Sequence, residues 1–383
     1  MKLLMVSGDR QVSIGERGPF HSMQREFSRY FERIDVICPR PDAPVTIQTI
    51  HDNVHFHPAS CSRRRMVAYI AQRGSELIRE HGHELIVSHD YGWFYNGIGS
   101  AKLSALTSVP YLSEIHHVPG VPVAADMRER FDRFVARLYV GWARSRARAF
   151  RVVNHEEMPV LLRRWGVPQN KILVLPSQYI DFDVFHCSEG RPEAERDIIY
   201  AGRMVNNKGV RQIIDAIDIS RRKGRTLTAT LIGRGPKLKE LQQRTVDKQL
   251  NSQIEFIEWV DSPDELARLY RSSRLCVCAS TCEGGPRFTV EAMACGTPVV
   301  STPVGVMGEL LGDGLAGALT GFDADRLAET MGAILAQEDR RVELGRVAVG
   351  RVQQFEYARA LAGYANGLRS LVGHEALELE PQA

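Results

Sequence analysis

The chain has 383 residues, of which 44% are hydrophobic and 25% charged, the composition of a soluble globular protein. This length exceeds that of one ordinary domain, so we expect two separate cores. A formal net charge of +3 is too small to indicate nucleic-acid binding. No apolar run reaches the roughly 18 residues that a membrane-spanning helix needs.

The seven cysteines are an odd number and lack the Cys-x-x-Cys or Cys/His spacing of a zinc site. They predict buried free thiols in a reducing compartment, and we expect neither a metal nor a cofactor. The first residues enter a strand directly, without the apolar core and cleavage site of a signal peptide. This start favours a cytoplasmic protein.

The first half alternates short apolar runs with amphipathic stretches, the pattern of a parallel sheet built from β-α-β units. Its predicted strands cover residues 3–6, 35–38, 54–57, 85–88, 111–116, 152–153 and 172–175. Its predicted helices cover residues 20–31, 66–80, 94–106, 127–149 and 156–165.

The polar segment 186–196 predicts a domain linker, after which the alternation starts again. Further strands are predicted at 198–200, 227–232, 254–256, 275–279 and 298–301. Further helices are predicted at 210–221, 238–249, 263–271, 288–294, 324–335 and 338–371, and the polar tail after His374 is expected to be disordered.

These elements predict an α/β fold with two Rossmann-like, doubly wound parallel sheets that face a central cleft. The first domain is expected at 1–187 and the second at 188–355. Residues 356–383 are expected to form a C-terminal helix that packs back on the first domain, followed by the tail. Such sheets bind ligands beyond the carboxyl ends of their strands, so functional motifs should follow strands.

The segment 279–300 carries the strongest motif of the second half. Glu283 follows a strand, and Glu291 lies in the next helix, with Gly284 and Gly285 between them. The free backbone N–H groups at the helix start suit a phosphate, and they belong to Arg287, Phe288 and Thr289. The two carboxylates can accept hydrogen bonds from sugar hydroxyls. The alternative is that they only favour the helix N-terminus electrostatically.

A second motif places two cations, Arg203 and Lys208, on the loop after the first strand of the second domain. They can clamp a diphosphate from two sides and neutralise a leaving group as its bond to a sugar breaks. The alternative is a solvated turn. Gly233 lies on another glycine loop after a strand, which lacks the full dinucleotide fingerprint and indicates only one more loop at the cleft.

Together these motifs resemble family 4 of the glycosyltransferases, the retaining group with the GT-B fold. The segment 296–317 resembles the family as well. The resemblance implies that Arg203 and Lys208 bind the donor diphosphate, Glu283 the transferred sugar and Glu291 the nucleotide ribose. It therefore implies transfer of a hexose from a nucleotide diphosphate sugar to an acceptor. Glu309 matches a downstream glutamate of the family.

In the first half, the strand at 111–116 resembles the one that ends in the family's active-site histidine, here His116. The alternative is a histidine satisfied by the backbone. The loop with Gly15 and Gly18 resembles the family's first loop, which would approach the diphosphate from the opposite domain. No Asp-x-Asp motif lies at the end of a predicted strand, so Arg203 and Lys208 would take the place of a metal. The donor's own phosphate oxygen would accept the acceptor's proton.

The acceptor is expected to be a glycan or a lipid-linked glycan. Arginines recur at helical spacing in 127–151 beside bulky apolar residues, as in a helix that lies at a membrane interface. They are Arg130, Arg133, Arg137, Arg144, Arg148 and Arg151. The alternative is a helix that packs its apolar side on the sheet. Peripheral association with the inner face of a membrane therefore stays open.

Two other functions fit the same architecture. A nucleotide-sugar epimerase or hydrolase would convert the donor without an acceptor. A non-catalytic nucleotide-sugar-binding protein would be expected to lack one of the four charged donor-site residues, all of which are present.

Overall fold

A computed structural model describes residues 1–187 and 193–379. Part of the predicted linker and the end of the tail lie outside these residues. The described chain forms two α/β domains, one with a mainly parallel sheet and one with a fully parallel sheet, which confirms the predicted fold class.

The first sheet has eight strands in the order β3-β4-β2-β1-β5-β6-β7-β8, and only β3 is antiparallel to its neighbour. The strands are β1 (Lys2–Val6), β2 (Arg33–Cys38), β3 (Thr49–Ile50), β4 (Val54–Pro58), β5 (Leu85–His89), β6 (Tyr111–Glu114), β7 (Ala149–Val152) and β8 (Ile172–Val174). The helices are α1 (Pro19–Phe27), α2 (Met66–His81), α3 (Tyr95–Thr107), α4 (Met127–Ala143) and α5 (Glu157–Arg164).

The second sheet has six parallel strands in the order β11-β10-β9-β12-β13-β14. They are β9 (Arg196–Ala201), β10 (Ala229–Ile232), β11 (Ile254–Ile257), β12 (Ser273–Cys278), β13 (Val299–Ser301) and β14 (Gly317–Leu319). The helices are α6 (Val210–Arg222), α7 (Leu238–Asp247), α8 (Pro263–Arg271), α9 (Arg287–Ala294), α10 (Met307–Leu311), α11 (Ala324–Leu335), α12 (Glu338–Val352) and α13 (Tyr357–Ser370).

Both sheets reverse their strand order beside their first strand, between β1 and β5 and between β9 and β12. Their central strands are apolar on both faces because helices cover both sides, as the fully buried residues of β1 illustrate. The loops at the carboxyl ends of these strands form the crevice in which doubly wound sheets bind ligands. The fold therefore places the two crevices where the sequence motifs lie.

The predicted helix 338–371 is two helices. It breaks at residues 353–356, and the Glu356 side chain accepts hydrogen bonds from the first N–H groups of α13. The second helix then packs on the first domain: Leu361, Tyr364 and Leu368 belong to the same buried cluster as Leu3.

The chain crosses between the domains twice, and the two crossings lie side by side. The Ile180 N–H donates to the Phe355 carbonyl over 2.7 Å, and the Tyr357 N–H donates to the Ile180 carbonyl over 2.9 Å. Ile180 and Glu356 thus form a parallel bridge outside both sheets.

Candidate active site

The switch point of the second domain brings two loops together. Because β9 and β12 are neighbours, the loop that carries Arg203 and Lys208 lies beside the loop that carries Glu283. The Thr281 N–H donates to the Asn207 carbonyl over 2.8 Å and ties the loops to each other. Two motifs that are distant in sequence therefore form one site.

Lys208 and Glu283 form an ion pair in which the lysine ammonium donates to Glu283 Oε1. Ser280 Oγ donates to the same oxygen over 3.1 Å. Both charged side chains are largely buried, so the pair is shielded from water. Arg203 is exposed beside them, and its guanidinium makes no ion pair with the described residues.

Helix α9 begins beside this pair. Glu291 Oε1 accepts from Arg287 Nε over 2.8 Å, and its Oε2 accepts from the Tyr270 hydroxyl over 3.2 Å. Burial raises the pKa of Glu291, although Arg287 opposes the shift. The structure thus places Glu291 in the second turn of the predicted helix but gives both of its oxygens a protein partner.

Of the three predicted N–H donors of α9, only two are free within the described part of the chain, those of Arg287 and Phe288. The Thr289 N–H and hydroxyl both donate to the Pro286 carbonyl, over 3.2 and 2.6 Å. The expectation that the Thr289 N–H faces a phosphate is therefore corrected. The Phe288 ring packs edge-on against Tyr200, with ring centroids 5.2 Å apart. The Tyr200 hydroxyl in turn donates to the Arg203 carbonyl, so Phe288 helps to hold the Arg203 loop.

Two glycines of the Glu283 loop allow the domains to touch. A Cβ on Gly284 would lie 2.5 Å from the His116 carbonyl oxygen of the first domain. A Cβ on Gly285 would overlap the Gln178 side chain, which donates to the Gly285 carbonyl over 3.1 Å. These positions pack against protein atoms, and a contact of Gly285 with the donor stays a prediction.

The other predicted glycines, Gly233, Gly15 and Gly18, differ in backbone conformation and in the space around them. Gly233 has φ +142°, and a Cβ there would lie 1.9 Å from the Gly202 carbonyl, so its absence of a side chain serves loop packing. Gly15 has φ +90°, and Gly18 precedes the first turn of α1.

The predicted residue Glu309 connects the two domains. Its side chain accepts hydrogen bonds from the His155 and Glu156 N–H groups at the start of α5.

His116 lies at the cleft, two residues after the end of β6. Arg151 Nη1 lies 3.3 Å from His116 Nε2. A guanidinium only donates, so Nε2 accepts and the proton of the neutral ring lies on Nδ1. Burial in the cleft and the Arg151 charge lower the pKa of His116. His116 also lines a cavity of about 190 Å³ together with His89 and Asp90.

A buried network surrounds this histidine. Arg151 pairs with Glu114 over 3.1 Å, and the Tyr364 hydroxyl from α13 donates to the same Glu114 oxygen. His89 Nε2 lies 3.1 Å from the second oxygen of Glu114. Burial disfavours the charge on Glu114, but Arg151 and His89 hold its pKa below the usual range. The sequence showed no pattern that links Tyr364 to His116.

Asp90 lies at the switch point of the first sheet and is buried. Its carboxyl accepts from Ser88 over 2.7 Å and from Tyr139 over 2.6 Å, and Ser113 also donates to it. Burial raises the pKa of Asp90 to about 7 against these hydrogen bonds. A lone Asp after a strand was too weak a pattern to predict this residue.

Helix α4 ends at Ala143, so the predicted basic face over 127–151 is partly wrong: Arg151 lies buried in β7. The alternative, in which the helix packs its apolar side on the sheet, is also wrong for its large apolar residues. Phe131, Phe134 and Leu138 are 50%, 56% and 58% exposed, and α4 buries Ala136, Tyr139, Val140 and Ala143 instead. Among the described residues no helix is long and apolar enough to cross a membrane.

Five cysteines are buried free thiols, as predicted: Cys38, Cys276, Cys278, Cys282 and Cys295. Cys61 is partly exposed and Cys187 is exposed, which corrects the prediction for these two. In the described part of the chain, no group of three or more His, Cys, Asp or Glu side chains has an arrangement that could hold a metal ion.

Two family models match this chain. The glycosyl transferase 4-like domain matches residues 20–178, and glycosyl transferases group 1 matches residues 181–349. A curated relative, the D-inositol 3-phosphate glycosyltransferase of Pseudarthrobacter chlorophenolicus, is 28% identical over 316 residues, which span 77% of this chain and 73% of the relative.

Solved structures share the fold over almost the whole chain. Sucrose-phosphate synthase from Thermosynechococcus elongatus aligns with a TM-score of 0.79 at 20% identity and covers 97% of this chain and 98% of its own. HepE of Anabaena, solved with UDP and glucose, aligns with a TM-score of 0.73 at 20% identity and covers 97% and 100%.

Two Rossmann-like domains with facing switch points define the GT-B class of glycosyltransferase. The chain belongs to the family 4 glycosyltransferases, the glycosyl transferases group 1. It is therefore a glycosyltransferase.

Proposed function

We propose that the protein transfers a hexose from a nucleotide diphosphate sugar to a glycan or lipid-linked acceptor with retention of configuration. The observation that carries this proposal is the Lys208–Glu283 pair at the switch point of the second sheet, with the exposed Arg203 beside it. Two cations suit a diphosphate, and a carboxylate suits the hydroxyls of the attached sugar.

We infer that the nucleotide is uridine diphosphate. HepE, which has the same fold, was solved with UDP and with UDP-glucose. In this assignment Arg203 and Lys208 hold the diphosphate, and the free N–H groups of Arg287 and Phe288 add donors at a positive helix end. Glu291 would hold the ribose through the lone pairs that Arg287 and Tyr270 leave open.

In the proposed reaction, the bond between the anomeric carbon and the diphosphate oxygen breaks, and the acceptor oxygen attacks from the same face. The acceptor's proton passes to the departing phosphate oxygen. Arg203 and Lys208 stabilise the charge that develops on the diphosphate, and this electrostatic stabilisation is large in a site shielded from water. We propose that the reaction needs no added metal ion, because these two cations supply the positive charge.

His116 would contribute from the first domain. Its Nδ1–H can donate to a hydroxyl of the transferred sugar while Arg151 occupies Nε2. The lowered pKa keeps the ring neutral at neutral pH. The curated relatives act, by their names, on D-inositol 3-phosphate, and we include a phosphorylated polyol among the acceptors to be tested.

We also propose that α4 attaches the enzyme to an anionic membrane. Phe131, Phe134 and Leu138 lie on one side of the helix and are exposed. Phe134 shares a groove of about 680 Å³ with Arg130, Arg133, Arg137 and Arg164. Exposed apolar residues beside arginines fit the interface of an anionic bilayer, where each arginine contributes about 1 kcal/mol.

Thermal unfolding with UDP, GDP, ADP and their glucose conjugates tests the donor. A nucleotide at one hundred times its dissociation constant stabilises the folded protein by about 2.7 kcal/mol, so the matching base raises Tm above the others. If none of these nucleotides or nucleotide sugars raises Tm, the proposal is contradicted.

Proton NMR of the reaction identifies the function. An α-linked product from an α-linked donor supports a retaining transferase, and an inverted product contradicts it. An epimer or free sugar formed without acceptor identifies an epimerase or hydrolase, and donor binding without any conversion identifies a binding protein. Full turnover in EDTA is expected, and loss that Mg²⁺ or Mn²⁺ restores contradicts the metal-independent reaction.

A further inference from the structure

Helix α13 brings a tyrosine from the end of the chain to the active-site histidine's surroundings. The Tyr364 hydroxyl donates to Glu114 Oε1 from 250 residues away in the sequence. The Arg151 guanidinium lies over the Tyr364 ring, 3.6 Å from its centroid. All three side chains are buried. One aromatic side chain therefore contacts both members of the Glu114–Arg151 pair.

Arg151 is held on several sides. Its Nε donates to the Leu175 carbonyl over 3.1 Å, and its Nη2 donates to the Pro176 carbonyl over 2.7 Å. Its Nη1 reaches Glu114 and also lies 3.3 Å from His116 Nε2. Since these contacts fix the guanidinium plane, the direction of the Nη1–H groups toward His116 is set by residues outside the cleft.

We propose that Tyr364 is a positioning residue for His116. Its hydroxyl keeps Glu114 on Arg151, and Arg151 keeps His116 in the tautomer with the proton on Nδ1, where it can donate to a sugar hydroxyl. The role of that donor in turnover rests on the proposed function, whereas the tautomer rests on the contacts alone.

Glu114 competes with Arg151 for Nε2 of His116: Arg151 donates to this nitrogen, whereas the Glu114 carboxylate would accept a proton from it. Its Oε2 lies 3.9 Å from His116 Nε2. The other charged or titratable neighbours of the ring are Arg151 on β7, His89 at the end of β5 and the adjacent His117. When the Tyr364 hydroxyl is removed, Glu114 loses one hydrogen-bond donor. Its carboxylate can then accept a hydrogen bond from a proton on Nε2 of His116. The proton then moves toward Nε2, and the charged ring is favoured.

Histidine NMR of the full chain tests this directly. In protein labelled with ¹⁵N-histidine, long-range proton–nitrogen spectra report the tautomer and pKa of each ring, and His116→Gln identifies the relevant signals. Tyr364→Phe is expected to raise the His116 pKa by about one unit and to populate the Nε2–H form. Unchanged His116 signals in Tyr364→Phe, or an Nε2–H tautomer in the unsubstituted protein, overturn the proposal.

Tyr357→Phe is the matched control. Tyr357 also lies on α13, but its hydroxyl donates to the Ser22 carbonyl of the first domain over 2.5 Å, whereas Glu114 accepts from Tyr364 and Arg151. It is expected to leave the His116 signals unchanged. A shift as large as that of Tyr364→Phe indicates a general effect of α13 packing and overturns the proposal.

Turnover of the donor identified by thermal unfolding gives the second readout. Tyr364→Phe is expected to lower kcat roughly tenfold, the equivalent of one hydrogen bond to a charged group, with little change in donor KM. An NMR change without a kcat change overturns the positioning role. If the unsubstituted protein turns over no nucleotide sugar but shows the Nδ1–H tautomer, the proposed function fails while the tautomer inference stands.

Discussion

Lys208 and Glu283 are 75 residues apart in the chain and form an ion pair across the switch point of the second sheet. An ammonium has three donors, so Lys208 can hold Glu283 and a phosphate at the same time. Under the proposed function, the pair would set the position of the cation before a donor binds and thereby lower the ordering cost of binding.

Replacing Lys208 or Arg203 by Met is expected to lower kcat/KM for the donor by roughly 100-fold to 1,000-fold, because each variant removes a charge that is proposed to stabilise the leaving diphosphate. Steady-state assays measure the change. Lys223→Met, an exposed lysine just past the other end of α6, is the control and should retain turnover. Full activity in both cleft variants contradicts the proposed function.

Gly284→Ala should separate the two domains locally. The added Cβ would lie 2.5 Å from the His116 carbonyl and 3.1 Å from Val153 Cγ2. Relief of such overlap costs about 1–3 kcal/mol, so we expect a lower Tm and reduced turnover. Gly363→Ala in α13 meets no atom within 4 Å and should leave Tm unchanged or raise it. Equal Tm values for both variants contradict the tight contact at Gly284.

Asp90→Asn should flatten the pH dependence of stability. The folded pKa of Asp90 is about 7, above its unfolded value, so the folded state binds an extra proton between those values. Asp90 therefore makes the free energy of unfolding fall as the pH rises toward 7, by about 2 kcal/mol from pH 5.

Thermal unfolding between pH 5 and 8 measures this dependence. The Asn variant cannot ionise, so the difference between its Tm and that of the unsubstituted protein should increase in the variant's favour as the pH rises. Parallel Tm curves for the two proteins over this range would show that Asp90 does not titrate there.

Flotation with vesicles tests the α4 surface. The protein should float with vesicles that contain phosphatidylglycerol and stay behind with pure phosphatidylcholine. Arg130→Ala with Arg137→Ala should weaken binding more than tenfold, at about 1 kcal/mol for each arginine, and Phe134→Ser with Leu138→Ser should weaken it as well. Leu315→Ser, at a similarly exposed position (57%) of the second domain, is the control. Recovery in the soluble fraction with both lipids rules out the membrane proposal.

The sequence predicted the charged site of the second domain more fully than the site of the first. Its strands are regular and its charged motifs follow them, so strand order alone brings Lys208 to Glu283. The short elements α10 and β14 were missed because five and three residues carry too little periodicity.

The site in the first domain depends on long-range contacts that no local pattern encodes. Arg151 matched the arginine spacing of a helix, but tertiary structure places it in a buried strand opposite Glu114. Tyr364 follows the second domain in sequence and reaches the first only because Glu356 starts a new helix. Glu291 shows the converse: its helix position was predicted, but its pairing with Arg287 and Tyr270 was not.

The bridge between Ile180 and Glu356 has a mechanical consequence. Two hydrogen-bonded crossings restrict independent twisting of the two segments, so we expect any opening of the cleft to be a rotation about the line of the bridge. Atoms far from the axis travel furthest in such a rotation. In such a rotation the bridged segments would stay in register, and the width of the cleft entrance would follow from the rotation angle.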